Sequence, residues 1–177
     1  MTKESPLAYN LMVTTHRIED LFHNPGRRLR EFGIREGDTV VDYGCGPGRH
    51  LKTASELAGP GGRVYAADIS LIALEHVQKQ IRKERLMNIV PYLIEDDACG
   101  IPGGCADVVY ALDMFHRVED TGAFFHELRR IIKKTGTLYL EDGHQSRSAT
   151  LKKVQASPLW DVAEKKPGYV VLQPLVY

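Results

Sequence analysis

Cysteine is scarce in this chain: 177 residues include three, Cys45, Cys99 and Cys105, and none forms a CxxC pair. An odd number without ligand spacing argues against a disulfide framework and against a cysteine-rich zinc site. Net charge is missing too, since 23 Lys and Arg balance 23 Asp and Glu. A surface built to grip nucleic-acid phosphates is usually markedly basic, so no nucleic-acid partner is expected. No apolar run approaches the roughly 20 residues of a membrane span, and no membrane insertion is expected. The first residues, MTKESPLAYN, lack the apolar core of a signal peptide. These absences predict a soluble cytoplasmic protein. Repeats and low-complexity segments are absent, and nothing indicates an oligomeric state.

What is present is a globular composition, 43% hydrophobic and 26% charged, at a length that suits one domain. Short apolar runs alternate with helical patterns. TVVDYG, RVYAAD, NIVPYLIED, ADVVYALD and TLYLED read as strands. Pro91 inside the third places it early or at an edge. Helices are expected from Pro25 to about Phe32, Arg49 to Leu57, Ser70 to Glu84, near Thr121 up to LRRIIKK, and Ser148 to Gln155. LWDVAEKK and GYVVLQPLVY flank a Lys-Pro-Gly turn and read as a terminal antiparallel hairpin. Basic runs, Arg27 to Arg30 and Lys133 with Lys134, are read as solvated helix faces or helix ends. Strand–helix alternation implies a mostly parallel sheet covered on both faces, with ligands at the carboxyl ends of its strands. Acids gather there: Asp42, Asp68, Glu95 to Asp97, Asp113 and Asp142.

The densest signal is VVDYGCGPGRH, Val40 to His50. Gly44, Gly46 and Gly48 follow a strand and precede a helix. Either the loop only needs positive φ, or a ligand must lie against bare backbone. The dinucleotide pattern GxGxxG would need its third glycine at Arg49, and Asp42 would repel a diphosphate. A nicotinamide-dependent oxidoreductase is therefore disfavoured. A carboxylate ahead of the loop suits an ammonium group instead.

Together VVDYGCGPGRH, VYAADIS, EDDA, ADVVYALDMFHRVED and LRRIIKKTGTLYLED resemble the Rossmann-like, class I S-adenosylmethionine-dependent methyltransferases, and among them the small ubiquinone/menaquinone-biosynthesis type. The resemblance runs from about Pro25 to Asp142. It implies an α/β fold, a doubly wound, mostly parallel seven-stranded sheet with a C-terminal antiparallel hairpin and helices on both faces. It also implies a cofactor-binding methyltransferase domain over residues 25–177. Ahead of it, residues 1–24 read as an N-terminal helical segment, either a helix docked on the sheet or a lid with Tyr9, His16 or Arg17 facing the pocket. Position by position, Asp42, Gly44, Gly46 and Gly48 would hold the methionine end of S-adenosylmethionine. Asp68 would accept both ribose hydroxyls, Ile69 would lie on the adenine face, and Asp97 and the Ala98 amide would meet the adenine edge. Asp113 and Met114 would line the methyl-donor end.

The expected activity is methyl transfer to a small-molecule acceptor; the alternative is a protein that holds the cofactor without transferring. His116 and His144, just beyond two strand ends, are the candidate bases, because imidazole accepts protons near neutral pH. Asp113, His116, Asp142 and His144 also offer metal-ligand chemistry. The overall pattern of a metal-dependent enzyme is lacking, so no metal is assigned. Cys45 is read as a small space-filling residue.

Overall fold

The structure, a computed structural model, describes residues 26–175. The expected N-terminal segment with Tyr9, His16 and Arg17, and Pro25 at the expected start of the next helix, lie outside the described residues. A short helix α1 (Gly26–Leu29) precedes β1 (Thr39–Tyr43), α2 (Leu51–Ala58), β2 (Arg63–Asp68), α3 (Leu71–Glu84) and β3 (Ile89–Glu95). Then come β4 (Ala98–Cys99), β5 (Ala106–Ala111), α4 (Thr121–Ile131), β6 (Ile132–Glu141), α5 (Arg147–Gln155), β7 (Trp160–Lys166) and β8 (Tyr169–Pro174). They build one sheet in the order β4-β3-β2-β1-β5-β6-β8-β7. β3, β2, β1, β5 and β6 are parallel, while β8 and β7 add the antiparallel end.

Side-chain alternation explains the two-sided core. Val41, Tyr65, Ala67 and Val109 face one apolar layer with α4 residues Phe124, Phe125 and Leu128. Val40, Val64, Ala66 and Tyr110 face the other with Leu51, Ala54, Leu74 and Val77 from α2 and α3. Strands buried on both faces need continuous apolar runs, which is what β1, β2 and β5 carry. Ser70 caps α3 by accepting from the Ala73 amide, and Asp120 caps α4 by accepting from the Ala123 amide.

Four expectations change. The sheet has eight strands, not seven, because the two-residue β4 folds back on β3. The helix expected to reach Phe32 ends at Leu29. Lys133 and Lys134 lie in β6, because α4 stops at Ile131 and Ile132 is extended. Lys133 bonds Asp107 and Arg28 bonds Glu141, so neither is merely a solvated helix charge.

Candidate functional site

The reversal of strand order lies between β1 and β5, so the crevice opens beyond the carboxyl ends of those strands. The glycine loop leaves β1 there. Gly44, Gly46 and Gly48 have φ of 84°, 52° and 90°, the left-handed region that glycine enters without steric cost. Their surroundings differ. A Cβ on Gly44 would meet Met114 Cγ at 2.8 Å, and one on Gly48 would meet Gln80 Oε1 at 2.5 Å. One on Gly46 would meet nothing within 4 Å. Packing accounts for the first and third glycines; at Gly46 the bare backbone opens onto space.

Asp68, at the end of β2, is 8% exposed. Its Oδ2 accepts from the Gly46 amide at 2.8 Å and its Oδ1 from the Ser70 amide at 2.8 Å. The carboxylate thus ties the loop to the start of α3. Beside it Ile69 is 56% exposed, a large apolar side chain left bare at a strand end.

Asp42 lies deeper, 2% exposed, and its Oδ2 accepts from the Tyr110 hydroxyl at 3.0 Å. The two residues are register partners on adjacent strands. Burial, with help from the Asp68 charge, pushes the Asp42 carboxyl up to about 8, although the Tyr110 bond opposes the shift. The acid is therefore largely protonated at neutral pH. Tyr110 was not foreseen as a site residue. Its signal is a hydroxyl inside the apolar run Val108 to Leu112, which must find a partner when buried. Burial, Asp42 and Asp68 all push the Cys45 thiol up, so it is an inert neighbour rather than a nucleophile.

Asp97 sits in the two-residue turn between β3 and β4. Asp96 and Asp97 have φ of 49° and 63° between the paired Glu95 and Ala98. Two consecutive left-handed residues are what a type I′ hairpin requires. The hairpin is clamped from α4. Glu127 accepts from the Cys99 amide at 2.9 Å, and Arg130 grips Glu127 with two bonds of 2.7 Å. Arg130 also donates to the carbonyls of Ile101 and Cys99. Burial opposes ionisation of Glu127, but these donors hold its carboxyl below the usual range. Replacing Glu127 with alanine should speed amide exchange across residues 96–101 at least tenfold and lower Tm by about 6–12 °C, the loss of two charge-assisted bonds at about 1.5 kcal/mol each. Unchanged exchange in that segment would show that the clamp is not what holds Asp97.

Beyond β5, the donor-end residues differ from expectation in placement. β5 stops at Ala111, and Asp113 stands two residues further on with φ of 52°. A non-glycine residue there is strained and must be held. Its amide donates to Glu141 Oε2 at 2.7 Å, and Glu141 is itself paired with Arg28. Met114 lies across Gly44. His116 and His144 meet edge to face, with ring centroids 4.9 Å apart, and His144 Nε2 lies 3.5 Å from Asp113 Oδ1. Burial lowers the His116 pKa, the neighbouring His144, Arg117 and Lys153 add to the effect, and Asp113 opposes it. Asp142 does not join this group, because Arg147 binds both of its oxygens at 2.8–3.0 Å. A cleft of about 590 Å³ opens alongside, lined by Arg28, Arg49, His50, Leu112, Asp113 and Glu141 among others. Among the described residues no helix is long and apolar enough to cross a membrane.

The family model described as a methyltransferase domain matches residues 41–140. Aklanonic acid methyltransferase DauC of Streptomyces sp. strain C5 is 32% identical over 110 residues, 60% of this chain and 50% of DauC. A protein-L-isoaspartate O-methyltransferase of Aeropyrum pernix is 31% identical over 77 residues, 44% of this chain and 30% of that protein. The chain thus spans half or less of the length of these relatives. A SAM-dependent methyltransferase of Aquifex aeolicus has the same fold, with a TM-score of 0.80, 22% identity, and 98% of this chain and 100% of that one covered.

Proposed function

We propose, from the premise that this chain belongs to the methyltransferase-domain family, that it transfers a methyl group from S-adenosylmethionine to a small-molecule acceptor. The observation that carries the reading is the company at the carboxyl ends of β1, β2 and β5. A backbone open at Gly46 meets the Asp68 carboxylate there, and a cleft of about 590 Å³ lies beyond β5 and β6, lined by Leu112, Asp113 and Glu141 together with Arg49 and His50 that follow the glycine loop.

The residues present fit the donor. Gly46 leaves room for its amino-acid tail, with Gly44 and Gly48 shaping the loop on either side. Asp42 offers a carboxyl that an ammonium group would ionise, directly or through water. Asp68, at the end of β2 beside the glycine loop, would present its carboxylate to a ribose diol. Ile69, exposed at the end of β2, would lie against the adenine face, and Asp97 and the Ala98 amide would meet its edge. Met114 closes the donor end over Gly44, and Asp113 borders the acceptor cleft. When bound, S-adenosylmethionine supplies an electrophilic methyl group whose bond to sulfur breaks as the acceptor's lone pair attacks in line.

The protein's task is then to hold the partners and exclude water, which is worth roughly 7–11 kcal/mol when the alignment is good. A protonated acceptor also needs a base. His144 takes that proton, with Asp113 Oδ1 beside it to stabilise the imidazolium, and His116 packs edge-on against it.

Calorimetric titration with S-adenosylmethionine and with NADH tests the donor assignment. Micromolar binding of the former and none of the latter is expected. Formation of S-adenosylhomocysteine with a panel of small hydroxylated and amino acceptors tests transfer. Absence of any S-adenosylmethionine heat would overturn the reading, and binding without product across the panel would favour a cofactor-holding protein.

A further inference from the structure

We propose that Asp113, His116 and His144 form a binding site for a divalent transition-metal ion of the zinc type, beside the acceptor cleft. The inference goes beyond the methyl-transfer reading and does not depend on it.

One ligand atom from each of the three residues lies within 4.8 Å of the others. A carboxylate with two imidazoles suits zinc and its neighbours in the first transition row. At Zn–N and Zn–O distances of about 2.1 Å, two ligands of a tetrahedral ion stand about 3.4 Å apart. His144 Nε2 and Asp113 Oδ1 are 3.5 Å apart, long for a hydrogen bond and close to that edge. The His144 side chain is 80% exposed, so rotation about its own torsions can close the wider separations.

The surroundings hold the other two donors in place. His116 Nδ1 is buried and, among the described residues, has no hydrogen-bond partner, which is costly for an imidazole nitrogen. It sits over Gly143, where a Cβ would come within 2.3 Å of it, and Gly143 has φ of 61°. Asp113 is kept in its left-handed conformation by the Glu141 carboxylate. Asp142, which the sequence would have added to the set, is spent on Arg147. Three protein ligands leave further positions on the ion, and Asp113 also lines the cleft, so an oxygen-bearing acceptor can reach one of them. Unoccupied by metal, His144 is free to act as base; occupied, it is a ligand.

The test is titration of the full chain with zinc chloride and, separately, with magnesium chloride, without methyl donor. Zinc should bind with a Kd of 10 μM or better, and magnesium should give no heat at the same concentrations. Asp113→Asn and His144→Ala should each weaken zinc binding at least tenfold with little change in the melting curve, because both side chains are largely exposed and asparagine tolerates the left-handed backbone at residue 113. Zinc should also perturb the ring resonances of His116 and His144 in an NMR spectrum. Equal zinc affinity in the variants, no zinc binding, or magnesium binding as tightly as zinc would overturn the site. Methyl-donor binding is measured separately, so either reading can fail while the other stands.

Discussion

Asp68→Ala is expected to weaken S-adenosylmethionine binding by roughly 100-fold, about 2.7 kcal/mol. Two charge-assisted hydrogen bonds to a diol, each contributing about 1.5–3 kcal/mol, would account for a loss of that size. The same carboxylate also receives the Gly46 and Ser70 amides, so the variant should melt several degrees lower. Asp68→Asn separates the two effects. Its remaining carbonyl oxygen can still accept one of these amides, while its NH2 cannot accept the other, so part of the stability should return while the diol grip stays impaired. Affinity of Asp68→Ala within about threefold of the parent, by calorimetry on folded protein, would remove the ribose assignment.

Asp42→Asn should have the opposite effect on stability. Burial raises this carboxyl to about 8 from an ordinary value of 3.8. Between those values the folded protein keeps a proton that the unfolded chain releases. Stability from this group is therefore fully present below about pH 3.8 and drains away as pH rises towards 8. Asparagine carries no such mismatch and can still accept from Tyr110. The variant should melt roughly 5–10 °C higher at pH 8, with a gain that shrinks towards pH 4. Equal melting temperatures at both pH values would refute the buried-acid argument. In the parent, an ammonium group favours ionised Asp42, so donor affinity should strengthen up to about tenfold per pH unit between pH 6 and 7.5. A flat profile would mean that Asp42 does not sense the donor's charge.

These two acids look alike in the sequence. Each follows an apolar run, and each falls at or near the carboxyl end of a parallel strand. Their fates differ because their partners come from distant parts of the chain. Tyr110, which bonds Asp42, is 68 residues away, and Arg28, which anchors Glu141, is 113 away. Asp142 and Asp113 diverge in the same manner, one taken by Arg147 and the other left beside two imidazoles. Arg130 and Glu127 read as an ordinary helix end, yet they hold the turn that carries Asp97.

Period, punctuation and residue type sufficed for the order of the elements, the parallel sheet, the closing hairpin and the glycine loop with an acid at the next strand end. Those features are local: alternation, glycine at positive φ and capping act within a few residues. Which acids stayed available, which glycine opened onto space and which histidines met depended on the way strand order and crossovers bring remote side chains together. Long-range packing alone decides that, because a carboxylate's role follows from the donors around it.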